Sequence, residues 1–493
     1  MMKKTLFFSG VALLLGATLF ARPCRFSGKV TCGGQGVPGV SVTDGNTVVR
    51  TDRNGRYCLE SDSDAEFVYI STPSGYVVPQ RNHSPYFYKN VGMHESASST
   101  QNFELIKDSL DQTNHVFMYW ADIQVYEEKE LSYVRKAAED AGHLAEMTPE
   151  KPAFIISGGD IIGEWTHQPS LFMPVADAVA QSGLPLYNVL GNHDIETDAR
   201  SNEGCRKVFK SLFGPSYYSF NKGKVHYVIL DNVFFLARGY QYVGYLEEKQ
   251  LRWLEQDLSY VPEGSTVIVS MHIPAFSRDA RRKDWGKEEL NKITCNRNAL
   301  YEILKPYNVH LCTAHEHYGE NYVMSDRLFE HVHPPLSGLF WQSFLSCDGI
   351  PWGYMVYEVN GSDVKWYYKA VGKTRDSQFT VYPVGTDPMK PESVVVNVWN
   401  YDSSWKVCWY ENGEYKGEMS RYRGWDRSIC EDVELRREKE FKWKYIGAGE
   451  TEHLFYATPS APSSEVRIEV TDRFGTVYRY TSNGISQPVT VDM

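Results

Sequence analysis

From residue 113 to about residue 330 the chain repeats one pattern: a short apolar run, a few polar residues, then a helical stretch. The runs read "HVFMYW", "AFIIS", "YNVL", "VHYVIL", "TVIVS" and "VHLCTA". Between them lie segments such as "KELSYVRKAAEDAG", "SLFMPVADAVAQSG" and "EKQLRWLEQDL". A continuous apolar run is the mark of a strand buried on both faces. Buried strands alternating with helices specify an α/β core, because parallel strands are joined by crossovers that cover the sheet.

The flanks have a different texture. Residues 25–107 alternate valine with polar residues around turns at Asp44-Gly45 and Asn54-Gly55. Residues 375–493 contain "SVVVNVWNYDSSWKVCWYENGEYKG" and "SEVRIEVTDRFGTVYRYTS", which read as antiparallel strands joined at Asn-Gly and Phe-Gly turns. The hairpin "GYMVYEVNGSDVKWYYKAVG", turning near Gly361, is assigned to the core. The expected organisation is a leader over 1–21, an N-terminal β-sandwich-like domain over 25–107, an α/β core over 113–372 and a C-terminal β domain over 375–493. Hydrophobic residues at 42% supply cores for all three. "GQGVPG" is a formal match to the nucleotide fingerprint G-x-G-x-x-G. Pro38 interrupts it and a strand-like "VSV" follows, so its glycines are read as turn residues.

Lys3 and Lys4 precede an apolar run from Leu6 to Phe20, with Ala21 as a cleavage residue; this is the pattern of a secretory signal peptide. The run is short for a spanning helix, and the residues before Cys24 do not form a lipobox. The expectation is an exported protein, periplasmic or at the cell surface, with no transmembrane segment after signal removal. A net charge of -11 argues against nucleic acid as a partner. The nine cysteines include no C-x-x-C pair, so a thiolate zinc site is not expected. Cys32 and Cys58 share the N-terminal β region and form a candidate disulfide, with buried unpaired thiols as an equal alternative.

Ligand-type residues follow the apolar runs of the core in a fixed order. "WADIQ" supplies Asp122 and Gln124, "SGGDIIGE" supplies Asp160, and "GNHD" supplies Asn192, His193 and Asp194. "SMHIP" supplies His272, and "TAHEH" supplies His315 and His317. Strand C-termini of an open α/β fold face one crevice, so these residues are expected to converge. The spacing of two in Asp122/Gln124 and His315/His317 would put each pair on one face of an extended segment. Carboxylates that neutralise cations, imidazoles that suit Zn, Fe or Mn, and neutral amide oxygens make a mixed donor set for metal ions. Two cations about 3.5–4 Å apart clamp both sides of an in-line displacement at phosphorus. Singly, each residue has an ordinary reading: His272 as a buried histidine, Asp160 as a turn residue. "HEH" lacks the spacing of a helical H-E-x-x-H zinc site. Five such segments, each after a strand, make the metal reading.

The order D-x-Q, G-D, G-N-H-D, H, H-x-H resembles the calcineurin-like metallophosphoesterase superfamily, which includes purple acid phosphatases. The whole chain resembles its exported bacterial members with an N-terminal β domain, a phosphoesterase core and a C-terminal β domain. The resemblance implies a four-layer α/β/β/α sandwich with metals at strand ends. It implies that Asp122, Gln124 and His317 bind one metal, that Asn192, His272 and His315 bind a second, and that Asp160 bridges them. The implied cofactors are two divalent or trivalent ions (Mn, Zn or Fe), with a hydroxide held between them attacking phosphorus. His193 would donate a proton to the leaving group or stabilise phosphoryl charge, and Asp194 would accept a hydrogen bond from His193. Gly191 would let the backbone turn tightly beside the metals. Two positions depart from the family pattern: Gln124 stands where histidine is frequent, and Ala314 where glycine usually precedes H-x-H. The implied substrate is a phosphate mono- or diester, with nucleotides and sugar phosphates as candidates. Trp165, His167, Trp285, Tyr318, Trp341 and Trp352 are candidates for stacking on it, against the plainer reading as loop anchors. An alternative of another class is a cell-surface carbohydrate- or protein-binding protein around a decayed core.

Overall fold

The computed structural model describes residues 24–61, 64–92, 98–164, 169–283 and 286–482. The leader expected over 1–21 lies outside these residues, as do Trp165, His167, Trp285 and the side chain of Cys24. Among the described residues, no helix is long and apolar enough to cross a membrane.

Two mixed sheets form the core. The first runs Leu186–Asn188, Ala153–Ser157, Asn114–Trp120, Gly353–Asn360, Asp363–Ala370; its first three strands are parallel, and the last two add on antiparallel. The last pair is the hairpin around Gly361, so it does belong to the core sheet. The second runs Tyr218–Lys222, Val225–Ile229, Thr266–Ser270, Asn308–Thr313, Leu328–Val332, Glu320–Ser325, with four parallel strands between two antiparallel edges.

Alternation along Asn114–Trp120 explains the layering. Phe117 and Tyr119 point between the sheets, where Phe117 meets Tyr227 edge-on at 5.6 Å and the Tyr119 hydroxyl donates to the Cys312 carbonyl at 3.0 Å. Val116, Met118 and Trp120 point the other way, onto the helices Leu131–Glu146 and Phe172–Val179. Val134, Ala137, Ala138 and Ala141 form the buried stripe of the first helix at the spacing of one helical face. Outside the second sheet, Val267, Val269 and Leu311 pack on Leu251, Leu254, Leu300 and Leu304 of helices Glu248–Leu258 and Arg297–Leu304. The result is helix, sheet, sheet, helix, as expected.

The N-terminal part is two small sheets whose core, around Val30, Val42, Leu59 and Ile70, runs without a break into the space between the core sheets. It docks on the Tyr218–Lys222 edge, where the Asn221 N–H donates to the Thr72 carbonyl at 2.8 Å and Phe87 packs on Tyr218 at 4.6 Å. A strand, Ser41–Thr43, follows "GQGVPG", in keeping with turn glycines. The Cys32–Cys58 disulfide does not form. Cys58 pairs across the sheet with Ser27, five positions along the strand from Cys32, or roughly 17 Å at strand rise.

The C-terminal part is two four-stranded antiparallel sheets around Val396, Val398, Val407, Phe455, Ile468 and Val470. It is not all β. A helix, Arg427–Arg436, is capped by Asp426, whose carboxylate accepts the Ile429 N–H at 3.2 Å. Only Ile429 and Val433 are buried on it, one turn apart, so its pattern among many charges is faint.

Glu330 ties the second sheet to the loop after His272. It is fully buried, and its carboxylate accepts the N–H groups of Ala275 at 2.6 Å and Phe276 at 3.1 Å. Burial outweighs these bonds and pushes its carboxyl from an ordinary 4.5 up to about 8. A raised carboxyl value means that protonation favours the folded state. Its contribution is complete below 4.5 and is lost as pH rises through about 8. Glu330→Gln should therefore flatten the fall in thermal stability across that window. Parallel melting-temperature curves for the two proteins against pH would show that this carboxyl does not set the dependence.

Candidate metal centre

All parallel core strands end at one rim, and the predicted ligands and His193 lie just past strand ends there. Asp122, Gln124, Asp160, Asn192 and His193 come from the first sheet, and His272, His315 and His317 from the second. The spacing-of-two pairs are not extended, contrary to expectation. Asp122, Gln124, Asp160, His315 and His317 have φ of +45°, +43°, +53°, +71° and +61°. Left-handed backbone at non-glycine residues costs about 1–3 kcal/mol each and persists where surrounding structure enforces it. Five of the eleven left-handed non-glycine residues among the described ones fall at this rim, which makes it the candidate site. Ala314 keeps a negative φ, so the methyl group in place of glycine is accommodated.

Glycines allow the loops to meet. Gly159 has φ +93°, and a Cβ there would lie 2.7 Å from His272 Nδ1. A Cβ on Gly191 would fall 2.1 Å from both the backbone nitrogen and Oδ1 of Asp160. The close approach expected of Gly191 is therefore made against Asp160.

Two side chains and one backbone amide surround the buried Asp160 carboxylate. Oδ1 accepts the His193 N–H at 2.8 Å, and Oδ2 accepts Gln124 Nε2–H at 3.1 Å and lies 3.4 Å from His272 Nε2. Burial opposes its charge, yet His272 and His193 hold it well below the usual carboxylate range. His272 Nε2 is 2.9 Å from Asn192 Oδ1 and 3.2 Å from His315 Nδ1. Nδ1–H of His272 donates to the Gly158 carbonyl and Nε2–H of His315 to that of Asn291, both at 2.9 Å. These two bonds fix the tautomers and leave two nitrogen lone pairs facing each other, an arrangement that needs a proton or a cation between them. Burial disfavours the charged form of His272, but Asp160 raises its value to about 9. Burial, and then the charge of Lys292, holds His315 well below its usual range.

On the other side, His317 Nε2 lies 3.5 Å from Asp122 Oδ1, and Asp122 also accepts the His315 N–H at 3.0 Å. Gln124 Oε1 and His317 Nδ1 are buried without a partner. Buried orphan acceptors of this kind are rare and call for an occupant. The donors form two groups, Asp122, Gln124 and His317 against Asn192, His272 and His315, with Asp160 reaching both. Among the described residues, the ligand atoms of Asp160, His272 and His315 lie within 4.8 Å of one another. The set fits two first-row cations.

Asp194 corrects one expectation. It does not bond to the His193 ring. Its buried carboxylate accepts the N–H groups of Ile161 at 2.8 Å, Ile162 at 3.2 Å and Gly191 at 2.9 Å. Burial and the Asp160 charge push its carboxyl up to about 7. It locks two ligand loops together and is a positioning residue. Trp341 and Trp352 take the plainer reading, as loop anchors. Trp341 donates to the Ile123 carbonyl at 2.9 Å and packs with Trp352 among Tyr133 and Phe344. Tyr318 lies beneath the Arg282 guanidinium at 3.9 Å.

The cleft over the site measures about 470 Å³. Sequence reasoning missed its other walls: Tyr242, Phe340, Lys283, Lys292 and, from the C-terminal part, Tyr445 and Ile446. Phe340 packs on the His317 ring at 4.4 Å. The middle residue of "HEH", Glu316, pairs with buried Arg282, which also binds Glu320 at 2.7 Å. Its place between two ligands was a usable signal; the other residues carry no motif.

Residues 117–319 match the family model described as calcineurin-like phosphoesterase. Residues 24–108 and 330–478 match those described as its N terminal and C terminal. Purple acid phosphatase 15 of Arabidopsis thaliana is 26% identical over 248 residues, covering 48% of this chain and 39% of that protein, so the chain spans about two fifths of this relative's length. Among solved structures, a dimetal phosphatase from Danio rerio is similar at 13% identity, covering 52% of this chain and 97% of its own, with a TM-score of 0.37. A purple acid phosphatase from yellow lupin (Lupinus luteus) seeds is similar at 12% identity, covering 69% and 68%, with a TM-score of 0.39.

Two substitutions test the geometry. Gly191→Ala should weaken metal retention about 10–100-fold, the range for disturbed outer partners of a metal site. The far-ultraviolet circular dichroism should not change. Full retention against a chelator would show that the loops can separate. Gln124→His should tighten one metal and leave the other as it was; equal chelator resistance in both proteins would place the Gln124 amide outside the site.

Proposed function

The chain belongs to the calcineurin-like phosphoesterase family, and on that premise we propose that it is an exported hydrolase of phosphate mono- or diesters that works with two metal ions. The observation that carries this reading is the convergence of seven ligand-type side chains with orphaned acceptors at one strand rim. Export rests on Lys3, Lys4 and the apolar run from Leu6 to Phe20. A binding protein around a decayed core would have no reason to retain five strained ligand backbones.

Asp122, Gln124 and His317 would hold one ion, Asn192, His272 and His315 the other, and Asp160 both. When bound, such a pair supplies Lewis acidity and activates water for attack at phosphorus. Asp160 shapes the site as well, since its Oδ1 fixes the backbone of His193. Tyr242 lies edge-on to the His315 ring at 5.9 Å, and Phe340 packs on the His317 ring at 4.4 Å. His193 is not one of the proposed ligands. Its ring is a third exposed on the cleft wall, 3.9 Å from Asp160 Oδ2. From there it would meet a leaving-group oxygen and hand it a proton.

Asp160→Asn should remove most bound metal and the activity while the protein stays folded. Normal stoichiometry with normal turnover would take Asp160 out of the site. His193→Ala should leave metal content unchanged. It should slow hydrolysis of alkyl phosphates about 10²–10⁴-fold, the usual worth of a positioned acid. Nitrophenyl esters, whose leaving group needs no proton, should slow far less. Equal losses in kcat/KM for both ester types would assign His193 to the phosphoryl oxygens instead, and no loss with either would exclude it from the chemistry.

A further inference from the structure

The structure assigns Lys292 as the residue that selects the doubly charged phosphate of a monoester over the singly charged phosphate of a diester; this assignment rests on the phosphohydrolase reading above. Two lysines line the cleft beside the ligands, Lys283 and Lys292. They differ in their partners. Lys283 is paired with Asp279 at 3.0 Å and Glu289 at 3.3 Å. The nearby Arg282 is taken up by Glu316 and Glu320. Lys292 is half-buried, and among the described residues no carboxylate lies within ion-pair distance of it. A cleft cation without a protein counter-charge is the ordinary mark of an anion subsite.

Charge counting says which anion. The ligand set contains only two carboxylates, Asp122 and Asp160, because Gln124 and Asn192 are neutral amides. Two divalent ions against these carboxylates leave a surplus of about two positive charges. A diester monoanion with an attacking hydroxide brings about two negative charges and closes the balance without Lys292. A monoester dianion with the same nucleophile brings about three, and the ammonium of Lys292 supplies the missing charge. The whole chain is acidic at -11, so the compensation has to be local. Lysine suits the task, since a compact ammonium on a flexible stem follows a tetrahedral anion through changes of shape.

The test uses full-length protein reconstituted with Mn, in wild type, Lys292→Met and Lys292→Arg forms. Inorganic phosphate is the binding probe, read by calorimetry, and nitrophenyl phosphate and bis-nitrophenyl phosphate are the paired substrates. Lys292→Met should bind phosphate about 10–100-fold more weakly, as expected for the loss of one charge-assisted hydrogen bond. It should lose a similar factor in monoester kcat/KM and change diester kcat/KM by less than about threefold, with metal content unaltered. Lys292→Arg should recover most of the phosphate affinity. Unchanged phosphate affinity, or equal losses with both esters, overturns the assignment. If wild type hydrolyses neither ester, the phosphohydrolase reading fails. The calorimetry still decides whether Lys292 binds phosphate, and no phosphate binding by wild type sinks the assignment too.

Discussion

The buried carboxylate of Asp160 is the constraint from which the rest of the site follows. A charge at 1% exposure is costly unless it is surrounded by donors and opposite charge. Asp160 gathers those groups from separate strands: the His193 N–H, the Gln124 amide and the His272 imidazole. Each must approach closely, and that requirement explains local features that have no reason of their own. Gly191 has no room for a Cβ because Asp160 fills it, and Gly159 has none because His272 does. Asp194, behind the site, holds the Asp160 loop to the Asn192 loop through three backbone donors. The two sheets are thus joined at their rim by one anion, much as their interior is joined by Phe117, Tyr119 and Tyr227.

What could be read from the sequence was what interrupts a strong local pattern. Asn192, His193 and His272 each follow an apolar run in which a polar residue has no packing reason to stand. The same argument gave the fold, because a buried strand and a helical stripe are both local in sequence. Asp194 was misjudged for a definite reason. The family resemblance implied contact with His193, but in this turn the consecutive side chains diverge, and this one points back to Ile161, Ile162 and Gly191. Trp341 and Trp352 could be read only as a pair of alternatives, because an aromatic residue in a loop looks alike whether it caps a core or faces a ligand. Lys292 was invisible for the opposite reason. It is one lysine among many, and its lack of a partner is a fact of three dimensions.

The C-terminal part shows most clearly what local patterns omit. Its strands were legible, yet its role depends on contacts between residues about a hundred positions apart. Leu339, Leu345 and Cys347 of the core pack with Ile429, Val433, Phe441 and Ile446, and this cluster carries Tyr445 to the cleft. Lys442 adds an ion pair to Glu127 at 3.0 Å, close to the Asp122 loop. These residues lie on a helix and loop inserted between two strands of a sandwich that could close without them.

A second connection runs from the C-terminal part to the ligands themselves. Asn397 Nδ2 donates to the Asp348 carbonyl at 2.9 Å, and His453 Nε2 lies 3.2 Å from the Asp348 carboxylate. That carboxylate accepts the Gly319 N–H at 2.8 Å, two residues beyond His317. The Cys347 thiol donates to the carbonyl of His317 itself at 2.9 Å. The loop bearing His315 and His317 has left-handed backbone at both ligands, so it stores strain that a free loop would release. The groups that hold it in place come from the segment around Asp348, and that segment is in turn held by Asn397 and His453. The C-terminal part therefore belongs to the scaffold of the candidate metal centre. A core lacking it would keep these residues and lose the two bonds, from Asn397 and His453, that hold the Asp348 segment behind them.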